Sequence, residues 1–141
     1  MADIALLAEN QVRPVHPTGC DLFDAIFTET MTGGQAGYQL TTGKWGIADA
    51  NVAGKQQAKG VLLYPGGGAG QAGTFLIRGL VYGFNLASQT YDDIIYVSDT
   101  AGSFADAAGT LAVPVGRVVA LPDSNLTKVI FFDFRLREAY A

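Results

Sequence analysis

A chain of 141 residues is long enough to bury a core as one domain, so neither disulfides nor a structural metal are needed to hold it. Charged residues make up 16% and apolar residues 49%, against about 25% charged in an ordinary soluble domain, so less surface than usual is built to meet water. The nine basic residues are scattered through a chain of net charge −4, and no apolar run approaches the roughly eighteen residues of a membrane span, so neither nucleic acid nor a membrane is an expected partner.

Residues 1–17 read as an N-terminal arm. Asp3 and Glu9 stand where a secretory leader needs positive charge, which points to synthesis in a cytoplasm. Pro14 and Pro17, in "RPVHP", each remove a backbone donor and favour extended chain. Residues 18–141 read as a single β domain. Strand patterns recur at Ala25–Thr30, Gln35–Leu40, Lys44–Ala48, Gly60–Tyr64, Thr74–Phe84, Asp93–Val97, Val115–Leu121 and Lys128–Phe134. Between them "TGG", "TTGK", "SDTAGS" and "PDSN" supply the Gly, Pro, Asn and Asp that turns require. Helical patterns are confined to "ADIALLAEN", "CDLFDAI" at Cys20–Ile26 and "ADANVAGKQQAK" at Ala48–Lys59, the last interrupted by Gly54. The expected fold is therefore all-β, a compact β-barrel or β-sandwich of short antiparallel strands with an extended N-terminal arm and at most one or two short helical turns.

An internal echo runs through this pattern. "YQLTTGKWGIA" from Tyr38 resembles "YVSDTAGSFADA" from Tyr96, and each is followed by Gly and an apolar strand, "GVLLY" at Gly60 and "GRVVAL" at Gly116. The offset drifts between 56 and 59 residues, which fits either a duplicated β motif or a shared turn chemistry.

Candidate chemistry is sparse. "YPGGGAGQAG" contains a literal G-x-G-x-x-G at Gly68, Gly70 and Gly73, with Asp92 and Asp93 about twenty residues further on. That motif cradles a pyrophosphate only where it opens a helix, and the residues that follow, "TFLIRGLVYGFN", favour strand. The Gly66–Gly73 segment is accordingly expected to be a mobile connector between two strands. His16 and Cys20 stand four apart, but no other His or Cys completes a zinc site or a nucleophile triad, and no G-x-S-x-G elbow surrounds any serine. Asp92, Asp93, Asp99, Asp106 and Asp123 sit in or beside turns without the spacing of a calcium loop, and are expected to bond nearby backbone. Asn125-Leu126-Thr127 matches a glycosylation sequon inside a turn. No catalytic, cofactor or metal residue is assigned, and an enzyme is not expected. Trp45, Tyr64, Tyr82, Tyr91 and Tyr96 suit either core and interface packing or a sugar-stacking platform.

The last third carries the main physical signal. "DIIYV", "VGRVVAL" and "KVIFFDF" place apolar side chains on both faces, Val129 and Phe131 on one and Ile130, Phe132 and Phe134 on the other. An antiparallel strand with one wet face alternates instead. Each large apolar side chain left in water costs about 1.5–3 kcal/mol, so the second face is expected to meet a second layer, an arm or a different protein chain, association being the simplest of these.

The stretch "IIYVSDTAGSFADAAGTLAVPVGRVVALPDSNLTKVIFFDF" resembles the C-terminal part of the capsid decoration, or cement, proteins of tailed bacteriophages, and Gly33–Ala50 looks like the matching earlier half. The resemblance implies a β-barrel or β-sandwich, commonly trimeric, that binds the outside of an assembled capsid at junctions of the major capsid protein. It implies a virion location and carries no catalytic residues. Within that reading the N-terminal arm or the Gly66–Gly73 loop is the candidate capsid contact. The alternatives are a carbohydrate- or receptor-binding module of a phage fibre, using Trp45 and the tyrosines, and a small β-fold hydrolase.

Overall fold

The apolar runs between turn clusters do form strands in the computed structural model, which describes residues 3–16 and 19–134. In chain order they are β1 (Asp3–Ile4), β2 (Asp21–Ile26), β3 (Ala36–Gln39), β4 (Trp45–Ile47), β5 (Ala58–Leu62), β6 (Ala72–Val81), β7 (Ile94–Val97), β8 (Phe104–Ala105), β9 (Pro114–Ala120) and β10 (Lys128–Asp133). Among the described residues the helical content is one 3-10 turn, Glu9–Gln11, so the fold is all-β as expected. Two patterns that looked helical behave otherwise. Cys20–Ile26 supplies β2, because Phe23 and Ile26 suit an extended backbone and a full ladder with β6 outweighs a weak local preference. Ala48–Lys59 holds turns, in which Asp49 accepts the Asn51 N–H at 2.9 Å, and then enters β5.

The strands form one antiparallel sheet in the order β1-β8-β7-β9-β10-β6-β5-β3-β4, with β2 added to β6. The sheet curls at both ends. At one, Leu7 N–H donates to Gly83 O at 2.7 Å and Asn85 N–H to Ala5 O at 2.8 Å, so the chain after β1 meets the continuation of β6. At the other, Thr28 N–H donates to Trp45 O at 2.8 Å, drawing the end of β2 against β4.

The sequence echo corresponds to a repeated unit. β3 pairs with β4 and β5, and β5 with β6; β7 pairs with β8 and β9, and β9 with β10. Both units carry an irregularity at the same place. Gly37 opposes Gly60 and Tyr38 opposes Ala58; Ile95 opposes Gly116 and Tyr96 opposes Pro114. The hairpin turns match too, with Gly43 at φ 89° and Gly102 at φ 79°, a conformation glycine adopts without steric cost. Shared turn chemistry and shared strand connectivity therefore coincide.

The main core gathers Val118, Ile130, Phe132 and Phe134 from the closing strands with Phe84, Phe104, Val12 and Ile95. Phe132 stacks on Phe134 at 5.1 Å, and Phe104 lies 4.9 Å from Phe132. A smaller cluster packs Ala25, Phe27, Met31, Trp45, Leu62 and Phe75. These contacts supply, within the one chain, the second layer that the doubly apolar strand β10 requires. Ile130 and Phe132 are 0% exposed within the single chain, Val129 on the opposite face is buried too, and Phe131 is half-buried with the Arg78 guanidinium 5.8 Å from its ring. The alternation rule fails because the sheet is curled, so β9 and β10 are wrapped rather than flat.

The N-terminal segment does not stand off as an arm. β1 pairs with β8, Pro14 bridges Val81, Val15 N–H donates to Leu80 O at 2.9 Å, and Val12 is fully buried. Asp3 accepts the hydroxyl of buried Ser98, fastening the first strand. Pro17, which closes the predicted arm, and residues 135–141 of the predicted β domain, with Arg135 and Arg137, lie outside the described residues. No helix of the described residues is long and apolar enough to cross a membrane.

Candidate association surface

With Ile130 and Phe132 enclosed, the closing strands keep Ile94 of β7 exposed at 36%, and a larger exposed apolar group lies elsewhere. β2 has five of its six residues exposed, and Leu22, Phe23 and Ile26 are 46%, 45% and 46% accessible. It pairs with β6 along one side; on its other side the described residues supply only a parallel bridge between Phe27, just past its end, and Trp45 of β4. Leu22, Asp24 and Ile26 share the outer face, where Asp24 accepts the Thr74 hydroxyl at 2.7 Å. Phe23, Ala25 and Phe27 turn inward, and Phe23 stacks on Trp45 with ring centroids 5.7 Å apart and 24° between planes. Between β2 and the β3–β4 turn runs a groove of about 460 Å³, bounded by Phe23, Asp24, Ile26, Thr42, Gly43 and Lys44.

The neighbouring edge is closed. Trp45 O accepts from Thr28 N–H, and Ile47 N–H donates to the Glu29 carboxylate at 3.1 Å. β2 is thus an edge whose apolar side chains and backbone groups face outward together, the arrangement that sheet proteins usually cover or blunt.

The Gly66–Gly73 segment connects β5 to β6, and its glycine motif opens a strand rather than a helix, so it lacks the geometry of a phosphate cradle. The expected mobility is not matched by its bonding. Met31 and Gly67 exchange both backbone hydrogen bonds at 2.9 Å, Gly70 N–H donates to Phe27 O at 2.8 Å, and the Gln71 side chain accepts from Gly68 N–H at 2.7 Å. A Cβ on Gly66 would lie 2.0 Å from Met31 O, so glycine is what lets the two chains approach.

His16 is exposed and its carbonyl accepts from Gly19 N–H at 3.1 Å. Cys20 is half-buried, and burial together with the nearby Asp21 charge pushes its thiol pKa up, away from a nucleophilic thiolate. Among the described residues no three His, Cys, Asp or Glu side chains stand together as metal ligands. The turn aspartates are engaged as clamps. Asp93 accepts from Thr90 N–H at 2.9 Å and its hydroxyl at 2.8 Å, and Asp123 from Thr127 N–H at 3.0 Å and its hydroxyl at 2.8 Å. Those bonds hold both carboxyls below the usual range, the backbone bond contributing most in each case. Asp99 clamps Thr110 instead, eleven residues away, with bonds of 2.8 Å to both its N–H and its hydroxyl, and Asp92 pairs with Arg117 at 2.8 Å on the open surface.

The proposed aromatic platform does not assemble around Trp45, which is 1% exposed between Phe23 and Phe75. Tyr64 and Tyr91 are exposed, the Tyr91 hydroxyl donating to Leu126 O at 2.5 Å, and Tyr82 and Tyr96 are half-buried. The β2 edge was hidden from sequence reading because "CDLFDAI" satisfies a helical pattern, and Leu22, Phe23, Ile26 and Phe27 put apolar residues on both faces, so no apolar–polar alternation marks a strand. Comparison with protein-family models, with curated proteins and with solved structures gives no match.

Proposed function

We propose that this chain is a structural protein of a tailed-phage virion, one that binds the outer surface of an assembled capsid and stabilises it by bridging major capsid subunits. The reading rests on the resemblance of residues 33–50 and 94–134 to capsid decoration proteins. The structural observation that carries it is the uncovered apolar edge of β2, with Leu22, Phe23 and Ile26 nearly half accessible on a chain low in charge. Such an edge offers the contact a cement protein needs, and many symmetric copies convert modest individual affinity into shell stability. Stable contacts bury around 1,600 Å² in all, more than one six-residue strand presents, so a homotrimer that straddles a subunit junction fits better than a single copy docked alone. The fibre alternative loses its main support with Trp45 enclosed.

The test is co-sedimentation of the purified protein with expanded and with immature phage shells, alongside its mass by light scattering. Saturable binding to expanded shells by a trimer is the expected outcome; a monomer with no affinity for either shell removes the proposal.

A further inference from the structure

The outward side of β2 has a defined hydrogen-bonding polarity. In a strand the N–H and C=O of one residue point to the same side, and successive residues alternate. Phe27 N–H donates to Gln71 O, on the β6 side, and Thr28 N–H to Trp45 O, on the opposite side. Leu22, Asp24 and Ile26 share the parity of Thr28; the parallel bridge between Phe27 and Trp45 takes up the Ile26 carbonyl, so the groove wall is lined by the donors and acceptors of Leu22 and Asp24 and by the Ile26 N–H.

The repeated unit shows what fills the equivalent place in the other half. β2 lies against β6 as the second half of β6 lies against β10. The far side of that second half is occupied by the extended segment Arg13–Val15: Tyr82 N–H donates to Arg13 O at 2.9 Å, Val15 N–H to Leu80 O at 2.9 Å, and the Arg13 guanidinium stands 5.8 Å from the Tyr82 ring. The far side of β2 has no such segment among the described residues.

A second copy of β2 is a poor occupant. An antiparallel two-fold pairing centred on Asp24 sets two Asp24 carboxylates directly opposite. Centred on Phe23 it sets them diagonally. Asp21 is faced by Arg78 across the ladder, whereas Asp24 has no cation within ion-pair distance among the described residues. The charge that guards against self-pairing favours a basic partner.

We propose that the open side of β2 is a strand-acceptor site for an extended segment of another protein, one that places a Lys or Arg beside Asp24 and apolar side chains two residues to either side of it, against Leu22 and Ile26. Backbone bonds to Leu22, Asp24 and Ile26 give affinity, and Leu22, Ile26 and Asp24 give selectivity. The identity of that protein as the shell subunit rests on the proposed function; the site itself does not.

The probe is a capped six-residue peptide with valine, lysine and valine at every second position and threonine between them, with a counterpart in which glutamate replaces the lysine, added to the full chain and followed by amide NMR. The lysine peptide is expected to bind about tenfold more tightly than the glutamate peptide and to slow exchange at Leu22, Asp24 and Ile26. Ile26→Pro removes an outward N–H and is expected to abolish that protection; Asp24→Lys, which leaves the backbone intact, is expected to reverse the peptide preference. Equal affinity for the two peptides, protection elsewhere than β2, or no binding overturns the site. Shell co-sedimentation of Ile26→Pro separates the two readings: undiminished decoration leaves the function standing and removes β2 from it, while peptide capture without shell binding by the unaltered chain does the reverse.

Discussion

Phe23 is a surface residue with a core task. Its ring covers one face of Trp45, the one tryptophan of the chain, whose other neighbour Phe75 lies 4.5 Å away. Phe23→Ala should therefore shift tryptophan emission to longer wavelength and admit acrylamide quenching while the far-ultraviolet spectrum stays unchanged. An unmoved emission maximum would show that the indole is shielded by something else. The aspartate clamps make a second prediction at this scale. Asp93 and Asp123 have folded pKa values below their unfolded values, so their contribution to stability is complete above about pH 4 and disappears as the pH falls through the lowered values. Carbon NMR of the carboxyl groups should place both midpoints below the unfolded range, and Thr127→Val should raise that of Asp123. These local clamps were legible in the sequence, because donor and acceptor lie three or four residues apart; Asp99 was not, since Thr110 is brought to it by the fold.

At the scale of elements, strands bounded by turn residues could be read directly, and seven of the ten observed strands fall on the expected ones, while the expected strand Ala25–Thr30 meets β2 only at Ala25 and Ile26. β1 and β8 escaped because each has two residues and exists by its pairing, β1 with β8 and β8 with both β1 and β7. The sidedness of β10 was misjudged for a different reason. Sequence alternation supposes a flat sheet with a wet face, but here Ile130 and Phe132 fill the curl and Phe131 is sheltered by Arg78. The two faces should differ in denaturant titrations. Phe132→Ala is expected to cost about 3–5 kcal/mol, as for a fully enclosed aromatic, whereas Phe131→Ala should cost about 1–2 kcal/mol. Equal losses would mean that the outer face is buried as deeply as the inner one.

For the whole molecule, the repeat of hairpin, return strand and irregular pairing was visible in "YQLTTGKWGIA" and "YVSDTAGSFADA", but what the two copies share was not. β6 belongs to both: its first half pairs with β2 and β5, and its second half with β10 and, through Leu80 and Tyr82, with Arg13–Val15. Ten residues long, it is a common wall rather than a boundary. Neither half can be excised as a working module, because whichever fragment loses Ala72–Val81 loses one side of its enclosure. Melting should accordingly proceed as one event, with calorimetric and van't Hoff enthalpies in agreement. A load pulling on one half is passed along a continuous covalent backbone into the other.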